Sequence, residues 1–248
     1  MRLRDRVAIV TGAGSGIGRA IALGLAAEGA AVAVSDVDGD RASAVAGEVE
    51  AAGGRAIGMA CDVSQTVVVD ALVEETAKRF GHIDILCNNA GRAIRGFVTD
   101  LADEAWDSVM AVNVRGTFLC SRAVLRHMIP QRSRVIVNTA SGLGQRPSPG
   151  GAAYGASKAA IIHFTETLAL EVARYGIRVN AFTPGVTDTP LWRAHRTQAD
   201  IDEAFAKGQV GQPEDLVPTV VYLCSDAGRE ISGVTIRREV HVAKEKDQ

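Results

Sequence analysis

The sequence predicts an α/β fold, a doubly wound parallel sheet of about seven strands with helices on both faces. Short apolar runs at 7–10, 31–35, 56–60, 83–87, 135–137 and 179–182 have the length and composition of strands buried on two sides. Helical patterns occupy 18–28, 41–52, 67–80, 104–127, 154–175 and 213–225, most of them ending near a glycine that can close a helix. Strict alternation of the two calls for parallel strands joined by right-handed crossovers. With 248 residues and no repeat or linker, residues 1–248 are read as a single domain. Only 185–211 lacks a clear period, apart from helical content near 201–207. Long ordered loops in compact domains are often binding lids, and this one is read as a substrate lid.

Composition excludes several functions. The 27 basic and 29 acidic residues give a net charge of −2 without like-charge blocks, which favours neither nucleic acid nor an anionic membrane. Cys61, Cys87, Cys120 and Cys224 form no C-x-x-C pair and have no His-rich neighbourhood, so no metal site and no disulfide framework is expected. The N-terminus is charged, and no apolar run reaches the roughly 20 residues of a membrane span. A soluble, cytoplasmic protein with reduced thiols is expected.

The first strand runs into Thr11-Gly12-Ala13-Gly14-Ser15-Gly16-Ile17-Gly18 and then into a helix. Glycines let backbone approach a pyrophosphate, and free N–H groups at the positive end of the helix stabilise its charge, as in a Rossmann-type fold. A glycine-rich turn alone is also compatible with a tight connection. Asp36, 18 residues after Gly18 at the end of the second strand, supplies a carboxylate for adenosine ribose hydroxyls. A 2′-phosphate would crowd that carboxylate, and Ala13, Ser15 and Val37 offer no compensating base; the cofactor reading is therefore NAD. Arg41 is the nearest basic side chain downstream. Tyr154 and Lys158, four residues apart, share one helix face, where an ammonium can act on a phenol.

Taken together, these motifs resemble the short, single-domain branch of the short-chain dehydrogenase/reductase family across most of the chain. The 11–18 segment is similar to its T-G-x-x-x-G-x-G turn, Asn88-Asn89-Ala90-Gly91 to its N-N-A-G segment, and Tyr154-Gly155-Ala156-Ser157-Lys158 to its Y-x-x-x-K core. Ser141 and Asn113 match the other two members of the family's catalytic tetrad. Asp62, followed by Val63, is similar to the acidic residue placed near the adenine. Pro184-Gly185 with Thr189 resembles the contact with the nicotinamide end. The resemblance implies an oxidoreductase acting on a secondary alcohol or ketone. Tyr154 exchanges the proton, Lys158 lowers the phenol pKa and holds the nicotinamide ribose, Ser141 hydrogen-bonds the reacting oxygen, and Asn113 holds a water linking Lys158 to solvent. The cofactor set is then Gly12, Ser15, Gly16, Ile17, Gly18, Asp36, Asp62, Val63, Asn89, Ala90, Gly91, Tyr154, Lys158, Pro184, Gly185 and Thr189.

Other residues carry less. Cys87 reads as a small buried core residue, and His127 and His163 as helix residues. Trp192, Arg193, His195 and Arg196 share the lid and suit an acidic group on the substrate. Gly142, Leu143, Gln145, Pro149, Gly151 and Trp192 are expected to border the substrate pocket. Apolar residues around the Tyr154 helix, with the 104–127 helix, suggest a homodimer or homotetramer. The chain departs from the family pattern after Ile231-Ser232-Gly233-Val234-Thr235-Ile236, where Arg237-Arg238-Glu239-Val240-His241-Val242 replaces the usual small, glycine-containing ending. Three other readings stay open: a non-enzymatic NAD-responsive binding protein, a 3-oxoacyl-carrier reductase using NADPH, and an isomerase or dehydratase with bound nicotinamide. The short stretch after Lys158 weighs against the last.

Overall fold

A computed structural model describes residues 1–194 and 196–238. His195 and the 239–248 tail, including Glu239, Val240, His241 and Val242, lie outside the described residues. Seven parallel strands form one sheet: β1 (Val7–Thr11), β2 (Ala31–Asp36), β3 (Arg55–Ala60), β4 (Ile85–Asn88), β5 (Val135–Thr139), β6 (Arg178–Thr183) and β7 (Thr235–Arg237). Their spatial order is β3-β2-β1-β4-β5-β6-β7, so the chain changes direction of winding between β1 and β4. In such sheets the crevice outside the strand C-termini at that point is where ligands bind.

Helices cover both faces. On one side α1 (Gly16–Ala27), α2 (Gly39–Ala51) and α9 (Val217–Cys224) bury Ile21, Leu25, Val45 and Val221 against Val10, Val32 and Val34. On the other, α3 (Thr66–Phe80), α5 (Gly116–Gln131) and α6 (Ala152–Val172) bury Leu72, Leu119, Val124 and Leu168 against Ile9, Leu86 and Ile136. Burial on both faces is why these strands read as continuous apolar runs rather than alternating ones. No helix among the described residues is long and apolar enough to cross a membrane. All four cysteines are buried and unpaired by disulfides.

The structure refines several expected boundaries. The strand expected from Ile83 starts at Ile85, because Asp84 turns its carboxylate onto the Val7 N–H (2.7 Å) and meets Arg134 at 3.1 Å. The helix expected at 104–127 is instead α4 (Asp103–Met110), a π turn at Ala111–Arg115 and α5, which runs past His127. A π turn inserts an extra residue into the helical ladder and rotates the helix beyond it, and such turns recur at functional sites. Within 185–211 lie α7 (Pro190–Arg193), capped by the Thr189 hydroxyl, and α8 (Gln198–Ala206), closed at its start by a reciprocal Thr197/Asp200 capping box. β7 has only three residues, too short and polar for an apolar run to betray.

A buried polar ladder ties the two halves together below the crevice. Asn88 Nδ2 donates to Ser121 Oγ (3.1 Å) and Asn138 Oδ1 (2.9 Å), and Asn138 Nδ2 donates to Thr165 Oγ1 (2.9 Å). It links β4 and β5 to α5 and α6. Buried donors left without partners are costly. Asn138→Leu is expected to lower unfolding free energy in urea by about 2–3 kcal/mol. A loss below about 0.5 kcal/mol would show that the ladder carries little stability.

Candidate active site

The glycine turn is shaped by contact rather than by loop freedom. At Gly12 (φ +61°) a Cβ would stand 2.6 Å from Ala90 Cα, and at Gly18 one would stand 2.2 Å from the Gly12 carbonyl oxygen. Only glycine lets α1 start this close to the turn and the turn this close to the loop after β4. Asn89 fastens the arrangement by donating from Nδ2 to the Thr11 and Gly12 carbonyls (3.1 and 3.0 Å). The Thr11 hydroxyl accepts from the N–H groups of Asn89 and Ala90, each at 3.1 Å. Ser15 stands at the N-cap of α1 without capping it by its side chain. The first-turn N–H groups, which have no intrahelical acceptor, therefore stay available at the positive end of the helix.

Above the switch point lies a cleft of about 530 Å³. Gly12, Ser15, Gly16, Ile17, Asp36, Asp62, Val63, Asn89, Ala90, Gly91, Tyr154, Lys158, Pro184 and Thr189 line it. Gly18 and Gly185 do not line the cleft. Gly18 sits beneath it as a packing contact, and Gly185 turns the chain with φ +68°. Asp36 stands at the cleft edge, where Oδ2 accepts from Gly14 N (2.9 Å) and Oδ1 from Asp38 N (3.1 Å). Arg41 is engaged by Asp38 at 3.1 Å. Asp62 accepts from the N–H and hydroxyl of Ser64, which fixes the carboxylate after β3.

At the other end, Lys158 is buried and its Nζ donates to the Thr139 carbonyl at 2.7 Å. The same ammonium lies 5.6 Å from the centre of the Tyr154 ring. The Tyr154 phenol hydrogen-bonds Ser141, whose Oγ also accepts from Leu143 N at 3.2 Å. Asn113, fully buried on the π turn, donates from Nδ2 to the Arg92 carbonyl and to Ser157 Oγ, each at 2.9 Å, and accepts from Arg92 N at 2.8 Å. Asn113 thus couples the loop after β4 to α6 one residue before Lys158. Sequence reasoning missed Thr139, Ser157 and Arg92 as partners; the polar residues inside the run Val135-Ile136-Val137-Asn138-Thr139 were the available signal.

Of the residues expected to border the substrate pocket, Gly142 and Leu143 lie in the 3-10 turn Gly142–Gly144, Gln145 accepts from Arg237 at 2.7 Å, and Gly151 bridges to Gly96. Arg92, Val112, Ala140, Pro190 and Leu191 also line the cleft.

The family model for short chain dehydrogenase matches residues 6–200. The chain belongs to this family. Its fold and a crevice of this construction fit the nicotinamide cofactor that short-chain dehydrogenases bind, with the close approach at Gly12 and the uncapped start of α1 shaped for a pyrophosphate. Among relatives, the chain is 37% identical over 240 residues to a subunit of the (2S)-[(R)-hydroxy(phenyl)methyl]succinyl-CoA dehydrogenase of Thauera aromatica, covering 94% of each chain. Among solved structures it resembles a short chain dehydrogenase from Burkholderia cenocepacia in complex with NADP (TM-score 0.90, 38% identity, 98% of this chain and 100% of that one). It also resembles a 3-ketoacyl-(acyl-carrier-protein) reductase from Brucella melitensis complexed with NADH (TM-score 0.89, 35% identity, the same coverage).

In this short-chain dehydrogenase Arg237, the first residue of the unusual ending, closes β7, and Arg238 braces the cleft's rim. Its guanidinium meets Asp215 at 2.7 Å and the Pro184 carbonyl at 3.3 Å, tying the segment after β6 to the start of the last helical stretch.

Burial weighs on both members of the Tyr154–Lys158 pair. Burial pushes the Tyr154 phenol up, and the hydrogen bond from Ser141 partly opposes it. Burial also brings Lys158 down to about 8. One of the three ammonium protons goes to the Thr139 carbonyl. Because Lys158 binds its proton more weakly folded than unfolded, where a lysine titrates near 10.4, the unfolded chain holds more protons between pH 8 and 10. This group therefore adds stability as pH rises through that window, by up to about 3 kcal/mol. Unfolding curves at pH 7 and 9.5 should show wild type gaining on Lys158→Met by 1 kcal/mol or more; parallel behaviour of the two would contradict a buried, depressed lysine.

Proposed function

We propose that the protein is an NAD(H)-dependent oxidoreductase interconverting a secondary alcohol and a ketone, with Tyr154 as the proton-transferring group. The observation that carries this reading is the Ser141–Tyr154–Lys158 arrangement, with Tyr154 and Lys158 lining the cleft, the phenol hydrogen-bonded to Ser141 and a buried ammonium 5.6 Å from its ring. A nicotinamide held by the glycine turn, Asp36 and Lys158 would supply the hydride acceptor for oxidation and the hydride donor for reduction. Tyr154 takes the hydroxyl proton during oxidation and gives it back during reduction. Ser141, with one of its two lone pairs taken by Leu143 N, offers its single O–H to the reacting oxygen. Lys158 stabilises the phenolate electrostatically and holds the cofactor ribose, and Asn113 keeps α6 in register with the loop after β4.

Asp36 supports NAD over NADP. Its carboxylate stands at the cleft edge beside exposed Val37, and the nearest guanidinium downstream, Arg41, is neutralised by Asp38. A 2′-phosphate would meet uncompensated negative charge there. Residues 1–248 are read as one domain in which 185–211 serves as a substrate lid. Partly exposed Trp106 on α4 and Phe118 on α5, with exposed Leu170 on α6, support a homodimer or homotetramer.

Steady-state kinetics over a panel of secondary alcohols and ketones tests the reaction and the cofactor together. Wild type is expected to turn over at least ten times faster with NAD than with NADP at equal concentration. Tyr154→Phe is expected to lose about 100- to 10,000-fold in kcat while still binding NADH. Preference for NADP, or retained turnover in the phenylalanine variant, would overturn the corresponding assignment.

A further inference from the structure

Two walls of the cleft run outward into arginines. The segment after β4 lines the cleft with Gly91 and Arg92 and continues to Arg95; α7 lines it with Pro190 and Leu191 and leads on to Arg196. Neither guanidinium has a carboxylate in hydrogen-bonding contact among the described residues. Arg95 reaches only Ser148 Oγ (3.5 Å) and the Pro149 carbonyl (3.4 Å), both long contacts. Arg196 donates to the Trp192 carbonyl and stacks 4.6 Å from the Trp192 ring. Nearby charges are otherwise engaged: Arg193 forms a two-pronged pair with Asp188 (2.5 and 2.9 Å), and Asp200 accepts from the Thr197 N–H and hydroxyl. The sequence pointed to Trp192, Arg193, His195 and Arg196, and of these Arg193 is engaged by Asp188.

The two cations also act on each other. Burial lowers the Arg196 pKa, Arg95 lowers it further by repulsion, and Asp200 offsets this in part. An anion bound between these walls would relieve that repulsion, and a guanidinium fork fits the paired oxygens of a carboxylate or phosphate. Trp192 Nε1, beneath Arg196, is buried without an acceptor. Arg95 is held in relation to the chemistry, because Gly96 N donates to the Gly150 carbonyl (3.1 Å) and Gly96 bridges to Gly151, just before the helix that carries Tyr154. An anion gripped there would be fixed relative to the phenol.

We propose that Arg95 and Arg196 bind an anionic oxyacid group of the substrate, a carboxylate or a phosphate, so that the enzyme acts on a charged hydroxy or oxo acid rather than on a neutral alcohol or ketone. This rests on the reaction read above and names its substrate class.

Equilibrium titration of the NADH complex, followed by tryptophan fluorescence and calorimetry, tests it with matched probes. These are the 3-, 4- and 5-oxocarboxylates of five to seven carbons against their methyl esters, and dihydroxyacetone phosphate against dihydroxyacetone. At least one anion is expected to bind ten or more times tighter than its neutral counterpart, with the advantage shrinking as salt is added. That advantage should vanish in R95A/R196A, and in R95Q/R196Q if the alanine pair fails to fold, and survive in R193A. The arm that binds distinguishes carboxylate from phosphate. No anion preferred over its neutral partner, or a preference that survives the double variant, overturns the proposal. Selective anion binding without turnover would leave this site standing and overturn the reaction; equal turnover of acids and esters would do the reverse.

Discussion

The interaction on which the site depends is the hydrogen bond from the buried Lys158 ammonium to the Thr139 carbonyl. An ammonium taken out of water is tolerated only where strong acceptors replace its hydration. The last residue of β5 supplies one, and that constrains what surrounds it. α6 must lie across the C-terminal end of the sheet, which sets Tyr154 one helical turn earlier on the same face, beside Ser141 as the chain leaves β5. The Asn88–Asn138–Thr165 ladder underneath then keeps β4, β5 and α6 from shifting against one another.

A second constraint comes from the opposite side of the switch point. The glycine turn, the loop after β4 and the start of α1 approach so closely that a single Cβ at Gly12 or Gly18 would overlap backbone. Asn89 joins this half to the other: its amide holds the turn, and its Oδ1 accepts from the Thr139 hydroxyl at 3.4 Å. Thr139 therefore serves both halves, with its carbonyl on Lys158 and its hydroxyl on Asn89, the residue that holds the glycine turn. Cofactor shape and proton chemistry are mechanically continuous through one strand end.

Much of this was legible in the sequence because local patterns carry it. Apolar runs placed six strands within two residues of their observed starts, and the glycine turn, Asp36, Tyr154 and Lys158 announced themselves by spacing. What stayed hidden depends on tertiary partners. The π turn around Asn113 has no signature in residue periodicity, and β7 is three residues long. Charge state was the other blind spot. Spacing shows a cation beside a phenol, but only the fold shows that burial acts on both groups, pushing the phenol up and the ammonium down. Likewise Arg193 looked available in the lid until Asp188 was found beside it.

The central claim is that Lys158 acts on Tyr154 as a charge, and the phenol itself can report it. Ultraviolet difference titration near 295 nm, with the Tyr154→Phe protein subtracted to remove Tyr175 and Tyr222, isolates the Tyr154 ionisation in the NAD complex. The account predicts that Lys158→Met raises that titration by at least one pH unit, as loss of a neighbouring cation requires. An unchanged titration in Lys158→Met would contradict it.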